Sequence, residues 1–463
     1  MGATVIRLPG QVPRRIPWAS SMEIIMLVAG LASAQKLPVR VEIGPNVCVS
    51  DAGVPPVELY VAAHPQNPQN LIVTATHMVS GQEGFVETFS TLDGGSTWSV
   101  SHLPQLREVV ARKETSDWIT DSSVTYAPDG TAYVSALAPM KRGHAWGRLP
   151  LLVYRSRDQG ASWEDPTVIG PFFDRPAMVA SGTGKDKRLF VAAMGIAAPS
   201  EPSSVAVLRS DDDGASFRRT LLTPDNLGHN AVNPVVTPEG LLIVPYVDFP
   251  STSREQSERR RQLMHASRIY VVASRDQGQT FGLPRIVADI PGFQPGLPVV
   301  AVDLSPGRFR GRLYLAWNSE PEGRQNVTVA RSDDNGETWS ACAIKAPNAG
   351  PANFSSVAVS NNGTLGVAWI QHASEESSRK CWRAYFAASV DGGESFSAPL
   401  AVSSAVSCPD PTANYGNTQH PFTRGGDYTG LAAAADGSFH VAWHDCRDGA
   451  FQVYAARIRV RVD

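Results

Sequence analysis

Ser332-Asp333-Asp334-Asn335-Gly336-Glu337-Thr338-Trp339 follows the pattern Ser/Thr-x-Asp-x-Gly-x-Ser/Thr-aromatic, fixed at five of eight places. The same pattern returns at Thr91–Trp98, Ser156–Trp163, Ser210–Phe217, Ser274–Phe281 and Ser389–Phe396. Its first positions, 91, 156, 210, 274, 332 and 389, are separated by 65, 54, 64, 58 and 57 residues. Spacing this regular marks a repeat architecture. Each fixed residue has a turn-making job. The Asp carboxylate accepts backbone N–H bonds, the Gly takes a positive φ, the hydroxyls tie the ends, and the aromatic packs back into the sheet. These six Asp residues are therefore read as structural.

A larger unit surrounds each turn: an apolar strand, a Gly-containing turn, a second strand ending in an aromatic, a loop and a third strand. Val357 to Val359 followed by Leu365-Gly-Val-Ala-Trp369 is one example. The unit recurs a seventh time without the octapeptide, from Leu431 through Phe439-His-Val-Ala-Trp443 to Ile458. That last unit ends after its third strand, while Val39-Arg-Val-Glu-Ile43 near the start of the chain has no assigned partner. Joining the two would close a ring and remove an open sheet edge. The expectation is an all-β fold, a β-propeller of four-stranded antiparallel blades. Seven blades are expected, with six as the alternative if the last unit is irregular.

Composition agrees with many short strands joined by turns: 463 residues with 39 Gly and 35 Pro, and no long amphipathic helix pattern. A net charge of -3 with no basic stripe argues against nucleic acid or an anionic membrane as partner. Arg14 and Arg15, an apolar run from Ile24 to Ala32, and Ala32-Ser33-Ala34 read as a targeting segment. The expected organisation is residues 1–34 as that segment and 35–463 as one propeller domain, exported to the periplasm or the extracellular space and monomeric. The apolar run is too short to span a bilayer. Of five cysteines, Cys408 and Cys446 could be bridged within the last blade, while Cys48, Cys342 and Cys381 have no partner that the sequence names. No zinc or EF-hand spacing and no phosphate-binding glycine loop occurs in context, so no metal or cofactor is expected.

In such blades the octapeptide turns leave one face, and the loops entering each inner strand leave the other. Ligand chemistry is expected on the second face, around the axis. Its candidates before inner strands are Asp117, Asp121, Asp174, Arg175, Asp427 and Tyr428. Arg424 precedes them in the last blade, and His444, Asp445 and Arg447 follow a second strand there. Paired carboxylates, arginines and a tyrosine suit sugar chemistry. The competing reading is that Asp427 and Arg447 cap strands and form a salt bridge with each other. The loop from Pro250 to His265, with Arg254, Arg259, Arg260 and Arg261, is either a solvated excursion or a lid for an acidic substrate.

From about residue 39 onward the six octapeptides and their framework resemble the sialidase-like Asp-box (BNR-repeat) β-propeller superfamily. The resemblance implies retaining removal of a terminal acidic sugar, with arginines on its carboxylate, a Tyr nucleophile activated by a Glu, and an Asp acid/base. Carried over, Arg175, Arg424 and Arg447 would bind the carboxylate, Asp117 or Asp121 would be the acid/base, and Tyr428 the nucleophile. The sequence departs from the family where its arginine-isoleucine-proline motif should stand, since Pro55 to His64 holds no arginine. Arg15-Ile16-Pro17 spells those letters inside the targeting segment. Three readings follow: a glycosidase, a non-catalytic propeller that binds carbohydrate or protein, and a polysaccharide lyase. The box certifies the scaffold and leaves the chemistry to the site.

Overall fold

The computed structural model describes residues 39–50, 54–80, 83–104, 119–138, 140–142, 145–147, 150–170, 173–195, 204–222, 228–249, 267–290, 297–319, 326–345, 347, 350–373, 381–409 and 428–462. The predicted targeting segment, residues 1–34, and the 250–265 loop lie outside the described residues.

Seven antiparallel sheets follow one another along the chain and form a seven-bladed β-propeller. The inner strands of blades 1 to 7 are Pro56–Ala63, Thr120–Tyr126, Phe173–Ser181, Gly228–Ala231 (continued by Val235–Val236), Val299–Val302, Ala352–Val359 and Gly430–Ala433. Among the described residues no helix is long and apolar enough to cross a membrane. Ring closure is as the sequence predicts. Val39–Ile43 pairs antiparallel with the end of Gln452–Val462, from Val39 opposite Val462 to Ile43 opposite Ile458, and forms the outer strand of blade 7.

The six octapeptides occupy the turns between third and outer strands of blades 1 to 6. In blade 5, Ser332 Oγ donates to Asp334 Oδ1 at 2.8 Å, the Thr338 N–H donates to the same oxygen at 2.9 Å, and Thr338 Oγ1 donates to Oδ2 at 2.6 Å. The Gly336 N–H closes the loop on Ser332 Oγ at 2.9 Å. All six turns repeat this set. In blade 4, hydrogen bonds from Thr280 and then Ser274 hold the Asp276 carboxyl down at about 2, as a structural carboxylate requires.

The closing aromatic does more than pack on its own sheet. Trp163, at the end of the blade 2 turn, donates from Nε1 to Thr88 Oγ1 on the third strand of blade 1 at 2.9 Å. A Cβ on Gly160 in the same turn would come within 2.7 Å of Ile72 Cδ1. The glycine thus serves its positive φ and the close approach of two blades at once. Each turn is a wedge between neighbours, and the apolar core lies in these inter-blade layers, as where Phe386 of blade 6 meets Phe439 of blade 7 at 5.4 Å between ring centroids.

The Cys408–Cys446 bridge considered from the sequence is not formed. The disulfide joins Cys381 to Cys408. Trp382 and Ser407 face each other in an antiparallel bridge, exchanging N–H···O bonds of 2.9 Å, which brings the flanking cysteines into line. Cys446 is a buried free thiol 3.1 Å from Ser407 Oγ.

Candidate functional site

The inner strands do not run straight. In blades 1, 2, 3 and 6 the ladder shifts register at Val57/Tyr60, Thr120/Ser123, Asp174/Ala177 and Asn353/Ser356. Inside each shift one non-glycine residue has positive φ: Glu58 at 58°, Asp121 at 51°, Arg175 at 48° and Phe354 at 54°. Eight such residues occur among the described residues; the other four, Gln159, Asp213, Gln277 and Asn335, sit in the octapeptide turns. Among the described residues, left-handed backbone at non-glycine positions is therefore confined to the octapeptide turns and to these four bulges. A non-glycine residue there costs about 1–2 kcal/mol. A bulge beside an axial cavity re-aims a side chain, and strain that recurs at one structural position points to function.

The cavity around the axis has a volume of about 170 Å³, above the roughly 150 Å³ that admits a benzene ring. All seven blades line it, with Tyr60, Ser123, Arg175, Asn233, Phe354 and Tyr428 supplying the polar and aromatic wall. These residues lie where chains enter the inner strands, opposite the octapeptide turns, as the antiparallel order of each blade requires.

Tyr428 is the centre of the charged side. Its ring packs against Tyr60 at 5.1 Å between centroids. Burial raises its phenol well above the ordinary value; the Arg175 cation pulls the other way, while Tyr60, Glu58 and Asp121 add to the rise. Arg175, Glu58 and Asp121 thus all act electrostatically on this phenol, and Arg175 shares the cavity wall with it. Asp174, beside Arg175, forms a side-chain hydrogen bond with Asp121. Burial first, then the neighbouring Asp121, hold its carboxyl well above the carboxylate range, with Arg175 partly opposing.

Of the residues expected from sequence, Arg175 and Tyr428 line the cavity, and Asp121, at the blade 2 bulge, acts on the Tyr428 phenol without lining it. Asp117, Arg424 and Asp427 lie outside the described residues. His444, Asp445 and Arg447 are elsewhere in blade 7 and do not line the cavity. Asp445 is fully buried and accepts from Trp443 Nε1 at 2.9 Å and from the Arg447 guanidinium at 2.6 Å. Arg447 also reaches Ser404 Oγ and Asn46 Oδ1 and stacks 4.4 Å over the Tyr454 ring. That pair ties the rim of blade 7 together, whereas the Asp427 partner expected for Arg447 lies outside the described residues. Glu58, Tyr60 and Phe354 were not anticipated. The available signal for Glu58 was a lone acid in the apolar inner strand Val57-Glu58-Leu59-Tyr60-Val61. Among the described residues no group of His, Cys, Asp and Glu is arranged to hold a metal ion.

His444 has a different consequence. Burial, then the charge of His77, lowers it to about 3; burial, then Arg457, lowers His440 on the same strand to about 4. The unfolded chain binds these protons below about 6.5 and the native one does not. Stability is therefore fully present above pH 6.5 and falls as pH drops toward 4, by roughly 3–5 kcal/mol for each histidine once its native value is reached. Urea midpoints measured from pH 7 to 4 are expected to fall steadily, and less steeply in His444→Asn; a flat profile would contradict the buried neutral state.

The profile of the family described as BNR repeat-like domain matches residues 124–367, more than half of the chain. The chain belongs to that family. No curated protein matches this BNR propeller. Among solved structures it is similar to the alpha-L-arabinofuranosidase Arb93A from Fusarium graminearum in complex with an iminosugar inhibitor, at 14% identity and TM-score 0.47, over 90% of this chain and 98% of that one. It is also similar to the intramolecular trans-sialidase from Ruminococcus gnavus in complex with oseltamivir carboxylate, at 12% identity and TM-score 0.42, over 89% and 96%. A third is a protein of unknown function from Dyadobacter fermentans, at 13% identity and TM-score 0.46, over 91% and 99%. At such values these likenesses carry nothing about chemistry.

Proposed function

We propose that this BNR propeller is an exported glycosidase that removes a terminal acidic sugar in its axial cavity with retention, as exo-sialidases do. The observation that carries this reading is the meeting of Arg175 and Tyr428 on one cavity wall, with Glu58 and Asp121 acting on the same phenol. Arg175 binds the sugar carboxylate. Tyr428 attacks the anomeric carbon as its proton passes to Glu58, while Asp121 gives a proton to the leaving oxygen. The bond to the aglycone breaks as the bond to Tyr428 forms. In the second half a water attacks the same carbon, its proton goes to Asp121, and Tyr428 leaves and recovers its own from Glu58. A phenol suits this better than a carboxylate, which the substrate's own carboxylate would repel. The strained bulges support the reading, because they bring a cation and an aromatic, Arg175 and Phe354, to the axial cavity and set the acids Glu58 and Asp121 at the matching bulges of blades 1 and 2.

The test is release of 4-methylumbelliferone from a panel of α-sialosides, uronides and arabinofuranosides by the purified chain, beside a glycan-array screen. Release from an acidic glycoside is the expected result. Binding to an acidic glycan with no release from any glycoside would assign a carbohydrate-binding propeller. An unsaturated uronide product would assign a lyase.

A further inference from the structure

We propose that Ser355 is a ligand-binding residue on the neutral side of the axial cavity, where its hydroxyl bonds a ring hydroxyl of a sugar acid whose carboxylate lies on Arg175. The inference rests on the glycosidase reading for that carboxylate, and it narrows the ligand to a hydroxylated ring acid of single-sugar size.

The bulge in blade 6 carries the argument. Between Asn353, opposite Ile370, and Ser356, opposite Ala368, two residues of the inner strand face the single Trp369. The first of them, Phe354, has φ of 54°, and the pair stands out of the ladder. Released from its own sheet, the Ser355 N–H donates to Asn318 Oδ1 on the second strand of blade 5 at 3.2 Å. Phe354 and Ser355 both line the cavity. Ser355 is only 2% exposed, yet its Oγ has no hydrogen-bond partner among the described residues. Asn353, fully buried, has neither its side-chain oxygen nor its nitrogen paired, and Asn318 Nδ2 is unpaired as well. Buried polar atoms are costly to leave open, and an open hydroxyl on a cavity wall recovers that cost when a ligand completes the bond.

Two other neutral groups on the wall are already engaged. Ser123 Oγ pairs with Ser135 Oγ at 2.7 Å. The Asn233 amide clips blade 4 to blade 5, donating to the Val300 carbonyl at 2.8 Å and accepting from the Val300 N–H at 3.0 Å. Those groups hold strands together, whereas the Ser355 hydroxyl holds nothing in the fold.

Blade 6 stands three places from blade 3 in a ring of seven, the largest separation that such a ring allows. The cation and the open hydroxyl are therefore on opposite sides of a cavity of about 170 Å³, with room for one ring between them. A ring acid held by Arg175 presents its far edge to Phe354 and Ser355. The aromatic gives apolar contact to any ring, but the serine, both donor and acceptor, favours one that carries hydroxyls.

The test measures binding to the purified chain by ligand-observed NMR, with D-glucuronate and N-acetylneuraminate as hydroxylated ring acids and cyclohexanecarboxylate as a ring acid without hydroxyls. Ser355→Ala is expected to weaken the tighter of the two sugar acids about tenfold and to leave cyclohexanecarboxylate within about twofold. Arg175→Met is expected to weaken all three. Equal losses for sugar acid and cyclohexanecarboxylate in Ser355→Ala would mean a merely structural serine and overturn the proposal. So would an unchanged sugar acid, binding that survives Arg175→Met, or binding of none of the three to the wild type. If Ser355→Ala does not fold, Ser355→Cys, of similar shape with a weak donor, is read by the same difference. On a cleaved glycoside Ser355→Ala should raise KM about tenfold and leave kcat within about threefold. Should no glycoside be cleaved, the glycosidase reading fails on that result, while the difference between the ring acids still decides Ser355.

Discussion

Tyr428→Phe is expected to lower kcat on an acidic glycoside by roughly 10³-fold or more while the chain stays folded. The substitution removes the attacking oxygen and little else: the ring keeps its contact with Tyr60, and loss of one buried hydroxyl costs about 1 kcal/mol. Burial holds this phenol protonated well above ordinary pH, so it becomes a nucleophile only when a base takes its proton in the same step. Glu58→Gln should therefore lose less, about 10²-fold, because the nucleophile remains and only its base is gone. The two losses should not add, since both act on one proton transfer. Initial rates on the best glycoside of the panel, with circular dichroism of each variant, measure this. A Tyr428→Phe variant within tenfold of wild type would end the Tyr-nucleophile mechanism and leave Asp121 and Glu58 as a pair of acids to be reconsidered.

A chain beginning at Gly44, without Val39–Ile43, should be destabilised by about 3–5 kcal/mol and should self-associate. Val39, Val41 and Ile43 are half-buried against the layer between blades 6 and 7, and their strand covers Ile458 to Val462. Without it that segment becomes an open sheet edge. Urea midpoints and light scattering as a function of concentration test the claim. The ion pairs on the same strand, Arg40 with Glu42 and Glu42 with Arg461, are exposed, so Arg40→Ala should move the midpoint by no more than about 0.5 kcal/mol. An unchanged midpoint in the truncated chain would show that closure contributes nothing.

Two features of blade 7 explain each other. Its turn carries no octapeptide because there is no turn to carry one. Its outer strand comes from the other end of the chain, so the third strand runs on to Val462 instead of reversing. In blades 1 to 6 the chain must reverse between third and outer strands, and every such reversal uses the Asp, the Gly and the two hydroxyls.

The candidate site was legible in part. Asp121, Arg175 and Tyr428 could be located by counting strands, because the loop entering an inner strand always opens on the same face. Side-chain direction could not be counted. Arg447 sits in a loop on that face yet turns to Asp445 and Tyr454, since a fully buried carboxylate two residues away outweighs a solvated alternative. Glu58 was hidden for the opposite reason: it lies within a strand, and only a bulge redirects it.

By itself the sequence determined the turns and the repeating strands, because these depend on interactions that span eight residues or on simple alternation, and counting the repeats pointed to seven blades over six and to the unpaired first strand as the closing one. Tertiary structure alone decided which arginine reaches the axis and which cysteines join. Those outcomes depend on contacts between distant segments: Arg447 turns to the buried Asp445 while Arg175 lines the cavity, and the Trp382–Ser407 bridge sets Cys381 beside Cys408.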